Sequence, residues 1–197
     1  MNYSNNARQA MEAFCGTDAD SISERLSLPV NEGRIRVRFL DKEMDADTSS
    51  GMVTAADIGT EADEDTLLAV LDYLVTASAE VKPKAVWVSP AQLRGPGGRY
   101  DVSGYLKDLK DFDDDAIAMC GACENLGGRA RKGADCSYVF EVLPGLPMWF
   151  QYWAGDDEFP ASVQFLFDET ATEKCHFAAL ENIMQAFVTR LSSFVTA

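Results

Sequence analysis

Residues 141–167 constrain the fold of this chain more than any other segment. Apolar and polar side chains alternate there with the period of β-strands, and the glycine-containing acidic stretch 155–158 interrupts the alternation. The side chains on one face are large and apolar: Met148, Phe150, Tyr152, Val163, Phe165 and Phe167. The pattern predicts two antiparallel strands joined by a turn, with an aromatic layer on one face.

A third alternating run precedes these strands and is separated from them by Pro144 and Gly145, which favour a turn. The three runs together predict an antiparallel three-strand meander. Apolar residues at helical spacing then predict a long amphipathic helix over residues 177–194. We therefore predict an α+β fold in which an antiparallel sheet that includes the meander packs against helices, with the amphipathic helix at the C-terminal end.

The first two thirds of the chain contain patterns of both kinds. The predicted elements are helices over residues 5–14, 63–78, 102–109 and 114–126, and strands over 34–40 and 85–89. The chain has 197 residues and 47% hydrophobic content, which is enough to bury a core without disulfide bonds. We predict a single domain, 1–197.

The charge balance argues against two classes of partner. Lys and Arg number 17 against 32 Asp and Glu, a formal net charge of −15. The averaged field repels nucleic-acid phosphates and anionic lipids, so neither nucleic acid nor a membrane is expected as a partner. The first residues lack the basic and apolar regions of a signal peptide, and the five cysteines fit reduced thiols. These features predict a cytoplasmic protein.

Cys120 and Cys123 have the CxxC spacing, which can bind zinc or an iron–sulfur cluster or form a redox dithiol. A tetrahedral metal site needs two further ligands, and the sequence offers no second pair. Both cysteines fall within a predicted helix, so burial as small apolar residues is favoured. A metal or thiol-redox site stays the alternative, and no cofactor is predicted.

Asp156, Asp157 and Glu158 place three carboxylates beside Trp153. Crowded carboxylates could bind a hard cation or provide a general acid of raised pKa. Aspartate also accepts hydrogen bonds from turn amides, which is the structural alternative. These four residues are nevertheless the leading candidates for a ligand-binding site.

Two groups of arginines are candidates for anion binding. Arg94 and Arg99 flank a Gly-Pro-Gly-Gly loop whose amides could hold a phosphate or carboxylate, although the loop lacks the pattern of a nucleotide site. The arginines of the 34–40 strand share one face, which a solvated charged face also explains.

Trp149 and Trp153 share one strand face, which forms either an aromatic floor for a flat ligand or part of the core. His176 is the only histidine, so multi-histidine metal hydrolysis is excluded. The sequence also has no Gly-x-Ser-x-Gly motif for a nucleophilic serine.

Several motifs resemble the bacterial and archaeal family known as domain of unknown function 3786, over about residues 64–197. The matching motifs are Leu126-Gly127-Gly128, Leu143-Pro144 with Pro147, Trp153 with 155–160, and Phe167-Asp168. The resemblance implies a mixed α and β domain without an established activity. Some relatives carry an iron–sulfur module of the kind found in corrinoid proteins, which implies a link to anaerobic cofactor or corrinoid metabolism.

We therefore expect a protein that binds a small ligand or a protein partner and has no chemistry of its own. The alternatives are an enzyme that uses the Asp156 to Glu158 turn, and a metal or thiol-redox protein that uses Cys120 and Cys123.

Overall fold

The computed structural model describes residues 3–112 and 115–194, except for the side chain of Asp111. Helices and antiparallel sheets are both present, so the predicted α+β class is confirmed. The contacts divide the chain into two compact units. Unit 1 takes the described residues of 1–82, 142–145 and 172–183, and unit 2 takes those of 83–141, 146–171 and 184–197. The prediction of a single domain stays a prediction.

Unit 1 contains a four-stranded antiparallel sheet in the order β1-β2-β3-β4. Its strands are β1 (Val30–Asn31), β2 (Arg34–Phe39), β3 (Lys42–Asp47) and β4 (Val53–Ala55). Ile35 and Val37 on β2 are buried, whereas the arginines that alternate with them are exposed. The period-two pattern therefore predicted this strand correctly.

Unit 1 also contains three helices: α1 (Asn5–Phe14), α2 (Ala19–Leu26) and α3 (Glu64–Thr76). Asp63 caps α3, because its carboxylate accepts the Thr66 N–H at 2.9 Å. Leu67, Leu71 and Leu74 of α3 are buried, as their spacing predicted. No sequence pattern had indicated α2.

Unit 2 contains a five-stranded sheet in the order β5-β9-β8-β7-β6. The strands are β5 (Trp87–Val88), β6 (Arg129–Ala130), β7 (Cys136–Leu143), β8 (Leu146–Trp153) and β9 (Ser162–Asp168). Consecutive strands β7, β8 and β9 are neighbours, so the predicted meander is confirmed. Gly145, in the turn between β7 and β8, has a φ of 67°, a conformation that favours glycine.

An aromatic cluster forms the core of unit 2. Phe150 is fully buried, and its ring lies 5.4 Å from that of Phe165 and 5.1 Å from that of Phe187. The Phe140 ring packs edge-on against Phe187 at 4.8 Å. Phe187 belongs to the long helix α7 (Phe177–Ser192), which confirms the predicted C-terminal helix and follows the short helix α6 (Ala171–Lys174).

Two other helices of unit 2 are α4 (Pro90–Leu93) and α5 (Ala116–Asn125). Asp115 caps α5 by accepting two backbone N–H groups, whereas Asp113 and Asp114 lie outside the described residues. The helix predicted over 102–109 is present as the 3₁₀-helix Ser103–Asp108, and a 3₁₀ turn, Lys110–Phe112, follows it. Within the described ranges, no helix combines the length and apolar character that a membrane span requires.

Candidate functional site

An aromatic cleft of about 340 Å³ opens in unit 2, and we call it the aromatic cleft throughout. Its volume is at the lower end of the range for small-molecule sites. The residues that line it are Ser89, Pro90, Ala91, Tyr100, Val102, Trp153, Val163, Gln164 and Phe165. They come from four separate segments of the chain, which no single sequence motif contains.

The wall formed by α4 depends on a capping box. Ser89 accepts the Gln92 N–H through its side chain, and the Gln92 side chain in turn accepts the Ser89 N–H at 2.8 Å. Pro90 occupies the first helical position, where its missing N–H costs nothing. This four-residue motif therefore fixes the helix start and holds Ala91 against the cleft.

The other walls of the cleft contact the sheet and the aromatic core. Trp153 ends β8 and is half-buried, paired with Ser162 of β9. The hydroxyls of Tyr100 and Tyr105 are 2.8 Å apart, and the Tyr105 ring packs edge-on at 5.3 Å from that of Phe165. Because each wall is anchored, the cleft is largely preformed.

The lining of the cleft is mostly apolar. Its polar side chains are Ser89, Tyr100 and Gln164, while the other lining residues offer apolar or aromatic surface. No carboxylate, histidine or cysteine is among its described lining residues. A general base or an activated nucleophile is thus missing from this lining, whereas stacking of a planar ring is favoured.

Three of the residues predicted to bind ligand lie at or near the aromatic cleft. Trp153 lines it directly. The guanidinium of Arg94 lies 5.9 Å from the ring centre of Tyr100, and Arg99 immediately precedes Tyr100 in the chain. The sequence did not predict that Trp153, at the end of β8, would lie near the loop that carries Arg94 and Arg99.

The Asp156 to Glu158 turn does not line the cleft. The Asp156 carboxylate accepts the Phe159 N–H at 2.7 Å and the Glu158 N–H at 2.8 Å, and these two bonds lower its pKa. Asp157 and Glu158 are exposed. The geometry thus gives Asp156 the turn role that was the structural alternative, and a role of the three carboxylates in ligand binding stays a prediction.

Cys123 is fully buried, Cys120 is half-buried, and the structure adds a third cysteine to the pair. The Sγ atom of Cys136, which begins β7, is 3.8 Å from that of Cys123. Burial and a contact with Cys136 raise the pKa of Cys120 to about 12, so its reactive thiolate is disfavoured. Over the described residues, no group of three or more His, Cys, Asp and Glu side chains is arranged to hold a metal ion.

Trp149 lies on the face of β8 opposite to Phe150, and its side chain is half-buried. It is therefore neither part of a fully exposed aromatic floor nor part of the buried core. Its indole N–H donates to Ser137 at 2.9 Å, and the guanidinium of Arg131 lies 4.1 Å from its ring. A Cβ atom on Gly133 would lie 2.4 Å from the Gln151 amide nitrogen. The 131–135 loop therefore packs closely on this face, which argues against an open aromatic floor.

The other predicted candidates lie in unit 1 and are engaged in structural contacts. Arg36 makes a two-pronged pair with Asp45 at 2.8 Å, and Arg34 contacts Asp47 at 3.3 Å, in agreement with a charged sheet face. The His176 ring lies 2.6 Å from the carboxylate of Asp72.

Sequence reasoning had named Trp153 as a site residue and Val163 and Phe165 as part of the apolar sheet face. It missed the other six residues of the lining: Ser89, Pro90, Ala91, Tyr100, Val102 and Gln164. The Ser-Pro-x-Gln spacing could have identified the start of α4. No local signal could have paired Val102 with Gln164, because their proximity depends on tertiary packing.

Comparison with known proteins gives a family but no described activity. The family model for Domain of unknown function (DUF3786) matches residues 18–190. The match begins earlier than residue 64, where the sequence motifs had placed the resemblance. No curated protein and no solved structure matches the chain. Because the matched region covers most of the sequence, this chain belongs to the DUF3786 family.

Proposed function

We propose that this protein binds a small molecule with a planar ring in the aromatic cleft and performs no chemistry on it. The observation that carries the proposal is the lining of the cleft, in which Trp153, Tyr100 and Pro90 border a volume of about 340 Å³. Aromatic side chains stack on planar rings, and apolar pockets with a few polar groups are typical small-molecule sites.

The polar groups of the cleft suit orientation of a ligand. Gln164 provides both a donor and an acceptor, and Ser89 and Tyr100 provide hydroxyls. These groups can select a ring that carries heteroatoms. The enzyme alternative uses the Asp156 to Glu158 turn, and this turn does not line the cleft.

The test uses 2-naphthol, a planar and neutral probe, titrated into the protein by calorimetry. We expect saturable binding with a Kd below about 1 mM, which corresponds to about −4.1 kcal/mol. Ala91 lines the cleft and is half-buried. Ala91→Trp should fill the cleft and abolish binding, and Trp153→Ala should weaken binding about tenfold through lost stacking.

The matched control is Ala118→Trp, the same exchange at an exposed position of α5. This variant should bind 2-naphthol as the unaltered protein does. Absence of binding to the unaltered protein, or equal binding by the Ala91→Trp variant with an unchanged circular dichroism spectrum, would refute the proposed site.

A further inference from the structure

A second hollow adjoins the aromatic cleft. It measures about 380 Å³ and is lined by Ala91, Gln92 and the Gly95, Pro96, Gly97 and Gly98 loop. Ala91 lines both hollows, so the two share one wall residue. We call the second one the glycine hollow.

The wall of the glycine hollow is mostly backbone, for a reason that the structure makes explicit. Gly95 and Gly97 have φ values of 99° and 76°, which glycine adopts without strain. A Cβ atom on Gly98 would lie 2.6 Å from the Ala91 carbonyl oxygen. Larger residues are therefore disfavoured here, and the wall presents peptide groups instead of side chains.

Arg94 and Arg99 immediately precede and follow the 95–98 loop in the chain. Arg94 and Arg99 are both exposed, and Arg94 donates to the Arg99 carbonyl at 3.3 Å while its guanidinium faces the Tyr100 ring. The nearest acidic residue in sequence, Asp101, accepts the Ser103 N–H at 2.8 Å. In a chain of net charge −15, two cations within one short loop create a local site for an anion.

We propose that the ligand of the aromatic cleft carries an anionic group, a carboxylate or a phosphate, which binds at the glycine hollow. The ring packs against Trp153 and Tyr100, and Arg94 and Arg99 donate to the anion. Guanidinium groups bind both anions through charge-assisted hydrogen bonds. This inference rests on the proposed function, because it extends the same ligand from the cleft.

The experiment compares four probes that share one ring: 2-naphthol, 2-naphthoate, 2-naphthyl phosphate and 2-naphthylmethylammonium. We expect the two anions to bind about tenfold tighter than 2-naphthol and the cation to bind no tighter than 2-naphthol. The anion preference should shrink at high salt, since exposed charges are screened. Whichever anion binds tighter identifies the group that the hollow accepts.

The double variant Arg94→Gln with Arg99→Gln should bind the anions no more tightly than it binds 2-naphthol. Its matched control is Arg129→Gln with Lys132→Gln, which removes the same charge from exposed residues of unit 2 outside the 94–99 loop. The control should keep the preference.

Each outcome decides a different claim. Equal affinities for anionic and neutral probes, or a preference that survives the loss of Arg94 and Arg99, would overturn the inference and leave the proposed function intact. Failure of all four probes to bind would overturn both. Equal loss in the control variant would attribute the preference to net charge and also overturn the inference.

Discussion

Asp156 and Asp65 are acidic residues at the start of a turn and of a helix, yet their surroundings have opposite effects on their charge. Asp156 receives two backbone hydrogen bonds, which stabilise its carboxylate and lower its pKa. Asp65 lies in the first turn of α3, where the helix dipole favours negative charge. Burial, together with Asp63 and Glu64, nevertheless raises the pKa of Asp65 to about 6. Desolvation and repulsion therefore outweigh the dipole.

Replacing Asp156 with alanine should lower the thermal midpoint of unfolding, because two turn amides lose their acceptor. Binding of 2-naphthol by the folded variant should not change, since Asp156 does not line the aromatic cleft. Asp157→Ala and Glu158→Ala serve as neighbouring controls and should alter neither quantity. A variant that melts normally but loses the probe would instead assign Asp156 to the binding site.

Asp65→Asn should stabilise the protein at pH 7 by about 1 kcal/mol. This value is smaller than the free energy that corresponds to the whole pKa shift, because solvent screens the partly exposed carboxylate. The folded state raises this pKa from 3.8 to about 6, so it favours the protonated form. Stability therefore falls as pH rises between these values, and the cost is fully present above about pH 6.

The gain from Asp65→Asn should accordingly vanish near pH 4. Chemical denaturation at the two pH values measures it. Asp20→Asn is the control, because Asp20 lies in the first turn of α2 and is exposed. A gain that is independent of pH would show that the carboxylate charge is not the cause.

At the scale of elements, the meander provides both the core of unit 2 and one wall of the aromatic cleft. One face of β8 carries Phe150 into the aromatic cluster, and the strand ends at Trp153 in the cleft. On β9, Phe165 contacts Phe150 and also lines the cleft. A rigid core thus holds this wall of the cleft in place.

Phe150→Ala should destabilise the protein by about 3 to 5 kcal/mol, because it leaves a cavity among packed aromatic rings. Combined with Phe165→Ala, it should abolish cooperative unfolding at ordinary temperature, since total stabilities are about 5 to 15 kcal/mol. Phe159→Ala is the matched control, because that ring is 66% exposed. Near-normal melting of the double variant would show that these rings are not a core.

At the scale of the whole molecule, the family match covers residues of both units, so the family is defined by more than the meander. Each unit has its own buried residues and its own sheet. The charge of −15 belongs to the entire chain, whereas Arg94 and Arg99 lie together in one loop. The net charge therefore describes the electrostatic field far from the protein. The local arrangement of charged side chains determines the field at the cleft.

The sequence by itself determined the elements whose patterns are local. Alternation predicted β2 and the meander, helical spacing predicted α3 and α7, and glycine with proline predicted the turn at 144–145. These predictions succeed because side-chain period follows directly from backbone geometry. The pattern at 102–109 predicted a helix but not its type, because a few apolar residues at helical spacing do not distinguish an α-helix from a short 3₁₀-helix.

Only the tertiary structure decided which distant residues meet. It placed Cys136 beside Cys123, paired Arg34 and Arg36 of β2 with aspartates of β3, and brought Trp153 and the 94–100 loop to one cleft. Such proximity depends on strand register and packing, which long-range contacts fix and local spacing does not encode. For this reason Trp153 could be identified from sequence as a candidate, while the cleft that it lines could not.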